Sequence, residues 1–196
     1  MNGDIEKQTP EAEADDKKKK EVREITDLYD WLQCIVSALV TCILLFTFVA
    51  RTCGVVGPSM ENTLYEGERL IISNLFYTPR RGDIVIFRKD SFRDEAIVKR
   101  IIALEGQTVD IDFISGSVYV DGELLEEEYI KELTYRSLDF EGEVKVPKGC
   151  VFVLGDNRNH SNDSRDELIG CVDTRYIIGK AIWRIAPLER VGSLYE

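Results

Sequence analysis

Twenty consecutive uncharged residues, Trp31 to Ala50, separate two stretches of different pattern. Before them, Met1 to Asp30 is polar and densely charged, with Glu11, Glu13, Asp15 and Asp16 followed by Lys17 to Lys20. A segment of this kind cannot bury enough apolar surface to offset its ordering entropy, so it reads as a mobile tail, helical at most from Glu21 onward. The uncharged run has the length of one bilayer crossing at about 1.5 Å per residue. A buried core helix would show a polar stripe, and this run has only scattered Gln, Ser, Thr and Cys. A cleavable leader would have an apolar region of about 7 to 15 residues ending in small side chains. Phe48-Val49-Ala50 puts a bulky Phe where a small residue belongs, so the run is expected to be an uncleaved anchor.

Beyond Arg51 the pattern is that of short strands. Arg69–Ser73, Asp83–Arg88, Ala96–Leu104, Thr108–Phe113, Ser117–Val120, Val151–Leu154 and Tyr176–Ile185 are β-branched or aromatic runs bounded by Gly, Pro, Asp or Asn. Pro79 to Gly82, Ser115-Gly116 and Asp121-Gly122 supply turns. The one sustained helical period, Leu124 to Leu133, is too acidic for a core. The expected fold is mostly β: an antiparallel, partly closed β-sheet domain over residues 51–196, after a charged tail (1–30) and a single N-terminal transmembrane helix (31–50).

Charge and cysteine content narrow the functional classes. The 196-residue chain has a net charge of -11, which argues against nucleic acid because phosphates would be repelled. Lys17 to Lys20, with Lys7 and Arg23, flank the apolar run on its N-terminal side, whereas Arg51 is the cation just beyond it. The N-terminus is therefore expected in the cytoplasm and the β domain outside the cell membrane. Of five cysteines, Cys34 and Cys42 fall in the span and Cys53 at its edge. Cys150 and Cys171 have no CxxC spacing and no histidine partner, which disfavours zinc; a disulfide or two buried apolar thiols both fit them.

Lys99 is the most informative residue. It sits in the apolar run Ala96-Ile97-Val98-Lys99-Arg100-Ile101-Ile102, and burial there would disfavour its charge. A lysine acts as a general base only when neutral near pH 7, a shift from about 10.4 to roughly 7 to 8. Three such units correspond to about 4 kcal/mol, a cost rarely kept without a use. Upstream, Gly57-Pro58 fixes a turn from which the Ser59 hydroxyl can project, with Met60 as an apolar contact beside it. Gly155 to Arg165 packs turn formers, carboxylates, arginines and hydroxyls directly after the apolar strand Val151–Leu154. Each segment alone is ordinary; together they point to a serine nucleophile paired with a lysine.

These segments resemble the conserved boxes of bacterial type I signal peptidases: Ser59-Met60, Arg81-Gly82-Asp83-Ile84-Val85, Lys99-Arg100, and the Gly-Asp-Asn-Arg-x-x-Ser-x-Asp-Ser-Arg box at Gly155 to Arg165. Their order and spacing agree from Gly54 to Pro187, and the single anchor is similar to that of the Gram-positive subgroup. The resemblance implies that Ser59 attacks the scissile carbonyl and Lys99 takes its proton. It implies that Ser161 bonds and orients the lysine amine, that Asp163 and Arg165 pair to hold the loop, and that the Ser59 N–H donates to the oxyanion. Met60 would help line a shallow substrate pocket. Implied substrates are secretory preproteins, cleaved after small residues at −1 and −3, at the lipid surface, with no cofactor and no metal. Departures lie at Glu61-Asn62-Thr63-Leu64 and Ala103-Leu104-Glu105-Gly106, where the family favours proline or glycine. Residues 122–148 correspond to a small, acidic variable insertion.

Three rival readings are weighed against this one. His160, the sole histidine, would suit a Ser-His pair as in the endoplasmic-reticulum form of the peptidase, but there the histidine takes the lysine's place, which here holds Lys99. A self-cleaving Ser-Lys repressor would need a DNA-binding segment and no anchor. An inactive anchored scaffold would have no reason to keep Ser59, Lys99 and Ser161 together.

Overall fold

The computed structural model describes residues 10–48, 51–89 and 91–195. The first nine residues of the tail and Val49-Ala50 of the expected span lie outside this set. The chain divides into two units, residues 1–47 and 48–196.

The first unit contains a single helix, α1 (Pro10–Phe48), which starts well before Glu21, so the described part of the charged tail is helical. Proline suits a first helical turn, where its missing N–H would have no partner. Within α1, Arg23–Leu44 is 22 residues long with mean hydropathy 1.4, long and apolar enough to cross a membrane. Its large apolar side chains, Trp31 and Leu39 among them, are exposed, as suits a helix whose neighbour is lipid.

The second unit consists of β1 (Arg51–Gly54), β2 (Arg69–Ser73), β3 (Ile84–Lys89), β4 (Arg93–Ala103), β5 (Thr108–Asp112), β6 (Ser117–Val120), β7 (Glu123–Leu124), β8 (Val144–Lys145), β9 (Cys150–Leu154), β10 (Val172–Asp173), β11 (Ile177–Ala186) and β12 (Gly192–Ser193). The larger sheet runs β1-β2-β11-β3-β4-β9-β10 with β12 on β11, and the smaller runs β7-β6-β5-β8. Every pairing is antiparallel, as expected. The expected partial closure is not realised: β1 and β10 end an open path. Register shifts in β11 and β4 bend the larger sheet instead.

The continuous apolar run Ile84-Val85-Ile86-Phe87 makes β3 a strand buried on both faces. Ile84 and Ile86 join a core with Met60, Leu64, Leu70 and Ala181. Val85 and Phe87 join another with Ile101, Val151 and Val153. Alternation in β5 and β6 sends Val109, Ile111, Val118 and Val120 to a third core with Phe152 and Leu154. At the β6–β7 hairpin, Asp121 and Gly122 both have positive φ (56° and 80°), the conformation a two-residue turn of primed type requires. The helical period read in Leu124–Leu133 forms no helix; this acidic stretch is irregular and lies along the Gly155–Arg165 loop.

Candidate active site

Lys99 occupies the middle of β4, flanked by core residues on both sides, and is only 3 % exposed. Its Nζ donates to Ser59 Oγ at 2.7 Å and to the Val98 carbonyl at 3.0 Å. Ser59 reaches this position because its loop is pinned on both sides. Gly57 takes the left-handed conformation (φ 78°), and Met60, 1 % exposed, is anchored in the core. The Met60 carbonyl accepts from Thr63 and Leu64 N–H, closing a short turn that leaves Ser59 half-buried.

Gly155 to Asp166 forms the other wall. The Asn157 N–H donates to the Ser59 carbonyl (3.1 Å) and its Nδ2 to the Pro58 carbonyl (3.0 Å), tying the two loops together. Asp163 and Arg165, both buried, make a two-pronged pair (2.8 and 2.9 Å), and Asp163 also accepts from the Gly155 N–H. Burial pushes the Asp163 carboxyl up, but Arg165 and the N–H donor outweigh it and hold the group below the ordinary carboxylate range. Arg165 further donates to the Arg136 and Arg158 carbonyls, which makes it a hub of the loop.

Ser161 departs from expectation. Its hydroxyl is buried with no hydrogen-bond partner at bonding geometry, so the expected bond to Lys99 is not made. It lies close enough to Asp163 to help keep that carboxylate ionised. Its position is set by Gly155: a Cβ built there would fall 2.2 Å from Ser161 Oγ and 2.5 Å from the Ser59 carbonyl oxygen.

Ser59, Met60, Lys99, His160 and Asn162 share a cleft of about 220 Å³ with Gly54–Pro58 and Glu95–Val98. The register of β4 with β9 covers Arg100 to Ala103, so among the described residues the Glu95–Val98 stretch is unpaired on that edge. His160 is exposed on a single 3₁₀ turn, Arg158–His160; the hydrogen bond at Ser59 Oγ comes from Lys99. Among the described residues no cluster of side chains could hold a metal ion.

The model of the family described as signal peptidase, peptidase S26, matches residues 28–186. The chain belongs to that family. It is a peptidase, and its activity is that of a signal peptidase. A probable signal peptidase I-1 of Synechocystis sp. is 41 % identical over 80 % of this chain and 82 % of its own length. Signal peptidase I P of Bacillus subtilis subsp. natto is 35 % identical over 88 % and 96 %, respectively. A crystal structure of a signal peptidase I from Enterococcus faecalis is 30 % identical, covers 53 % of this chain and 97 % of that one, and superposes with a TM-score of 0.45.

Sequence reasoning missed much of the family loop's support. Arg100 Nε and Nη2 donate to the two Asp156 carboxylate oxygens (2.9 and 2.6 Å), the guanidinium lies 4.0 Å from the Tyr129 ring centroid, and Thr63 Oγ1 donates to Asp156 at 2.5 Å. Arg158, fully buried, pairs with Glu127 and donates to Thr134. Thr63 and Asn62 belong to the segment that departs from the family pattern, and Asn62 (φ 86°) donates to the Tyr129 carbonyl. Tyr129, Glu127 and Thr134 come from the insertion. The available signal was an arginine next to buried strands, which demands a counter-charge; its partner's place in the chain had no local marker.

Proposed function

We propose that this chain removes signal peptides from exported preproteins as a membrane-anchored serine endopeptidase using Ser59 and Lys99. The observation that carries the proposal is the 2.7 Å hydrogen bond between Ser59 Oγ and a lysine only 3 % exposed, at the wall of a cleft. A neutral Lys99 amine takes the Ser59 proton as Oγ bonds to the scissile carbonyl carbon. The Ser59 N–H donates to the resulting oxyanion. Lys99 then returns the proton to the departing amine, the C–N bond breaks, and an acyl ester remains on Ser59. Water, deprotonated by the same amine, attacks the ester, and the proton passes to Ser59 Oγ as the acid leaves.

The unpaired edge at Glu95–Val98 suits a peptide that adds as an extended strand, placing alternate side chains toward the cleft floor. Met60 and Val98 make that floor apolar and shallow, which favours small residues at −1 and −3. Asp163 and Arg165 support the loop without touching the substrate.

The test is cleavage of a secretory preprotein by the purified full chain. Ser59→Ala and Lys99→Ala should each abolish cleavage, the double variant should be no worse than either, and His160→Ala should cleave normally. Loss of activity on changing His160 alone would restore the Ser-His reading. For orientation, protease added to intact protoplasts should digest the chain beyond Arg51 and spare the N-terminal segment. The opposite pattern would invert the topology and remove exported preproteins as substrates.

A further inference from the structure

The acidic stretch between β7 and β8 lies along the Gly155–Asp166 loop as a strap. The Lys131 N–H donates to the Asp156 carbonyl (3.0 Å), those of Tyr135 and Arg136 to Asn159 Oδ1 (2.9 and 3.0 Å), and that of Asp139 to the Arg165 carbonyl (3.1 Å). Glu127 is the most buried acid in the strap, its side chain 5 % exposed, and both its oxygens accept from Arg158. Tyr129 donates its hydroxyl to Glu127 Oε1 (2.8 Å) while its ring stacks on Arg100, the neighbour of Lys99. Arg158 Nε in turn donates to the Gly155 carbonyl (3.0 Å), and Gly155 is the residue wedged between Ser161 and the Ser59 carbonyl.

We propose that Glu127 is a positioning residue for the reaction assigned above to Ser59 and Lys99: its carboxylate holds Arg158, and through it the Gly155 backbone, and cancels a buried cation next in sequence to Asn157, whose N–H bonds the Ser59 carbonyl. The proposal rests on that assignment. Burial works against the Arg158 charge, and the hydrogen bonds it donates to Glu127 outweigh that, holding the guanidinium above its ordinary range. Around Lys99 the cleft presents Glu95 and His160, and the loop presents Asp156, matched by Arg100, and Asp163, matched by Arg165. Glu127 with Arg158 is a third matched pair. Removing the Glu127 charge leaves Arg158 buried and uncompensated, which disfavours the ammonium form of Lys99. The acid limb of the pH–rate profile then moves to lower pH.

The experiment measures kcat and KM of the full chain in detergent micelles on a preprotein with Ala at −1 and −3, from about pH 5 to 10, with a thermal melt of each variant. Glu127→Gln should lower kcat about tenfold with KM within about twofold, and move the acid limb down by roughly half a unit. Arg158→Met leaves the Glu127 carboxylate uncompensated and should move the limb up. Glu127→Leu/Arg158→Met, neutral as a pair, should bring it back. Ser59→Ala and Lys99→Ala are run beside them: cleavage by either overturns the dyad assignment whatever Glu127 does. With both inactive, unmoved limbs in cooperatively melting Glu127→Gln and Arg158→Met proteins overturn the proposal and leave Glu127 a structural residue. Should neither melt cooperatively, Glu127→Asp decides, since it keeps the charge but is one methylene short. The proposal then requires a wild-type limb with a reduced kcat, and a full kcat overturns it.

Discussion

Adding one methyl group at Gly155 should disable the enzyme more than it unfolds it. The new Cβ would lie 2.2 Å from Ser161 Oγ, 2.5 Å from Ser161 Cβ and 2.5 Å from the Ser59 carbonyl oxygen. Non-bonded heavy atoms prefer about 3.5–4.0 Å, so all three contacts overlap by about 1 Å or more. One neighbour is a side chain that can rotate, but the Ser59 carbonyl is backbone and already accepts from the Asn157 N–H. Overpacking of this kind costs roughly 2–3 kcal/mol. In a domain of this size each kcal/mol lowers Tm by about 2–4 °C, so Gly155→Ala should melt roughly 4–12 °C lower. The strain is relieved by moving Ser59 relative to Lys99, and a displacement of about 1 Å in a reacting group costs about 100-fold in rate. The assays are a thermal melt and kcat on a preprotein. Gly155→Ala/Ser161→Gly, which removes both side-chain overlaps, should recover more than half of the lost Tm and none of the lost kcat. A Gly155→Ala protein with wild-type Tm and wild-type kcat would refute the packing argument.

Two further perturbations follow from the buried network. Asp163→Asn leaves Arg165 buried without its counter-charge, which should cost about 3–5 kcal/mol at neutral pH. The folded Asp163 pKa is depressed, so its contribution is present above the unfolded value and is lost as pH falls through the folded one. Thermal melts should therefore show the gap between wild type and Asp163→Asn narrowing in acid; a constant gap would contradict the assigned ionisation. Tyr195→Phe removes a hydroxyl that accepts from the Ile84 N–H (2.9 Å) and donates to the Ala181 carbonyl (2.8 Å), beside the β11 register shift. Leaving those groups unpaired should cost about 1–3 kcal/mol in a urea or thermal melt, with kcat unchanged in the folded fraction, and an unaltered melt would show that water replaces the hydroxyl.

Local pattern made the longer strands legible. β2 and β6 have the bounds that periodicity predicts, β5 and β9 differ by one residue at one end and β3 and β11 by one residue at both ends, because each carries its own apolar run and its own turn residues; β4 starts three residues earlier than expected and ends one earlier. β1, whose Arg51-Thr52-Cys53-Gly54 has no apolar run, and the two-residue β7, β8, β10 and β12 were not legible, since they carry no period and exist as strands only through their partners. Candidate chemistry was legible only in combination: a lysine inside an apolar strand and a serine after Gly57-Pro58 are each ordinary alone, and the order and spacing of the three segments singled them out.

What the sequence by itself determined is therefore the anchor-length apolar run, the antiparallel β class, and the pair Ser59 and Lys99 as residues worth bringing together. Tertiary structure alone decided that they meet at 2.7 Å, that the larger sheet stays open, and that Ser161 has no bond to the lysine. It also turned an acidic insertion into the counter-charge of a buried loop, with Glu127 on Arg158 across 31 positions of chain and Tyr129 over Arg100. Such pairings leave no periodic trace, because a buried guanidinium requires only that some carboxylate reach it, and which one does depends on how the whole chain folds back.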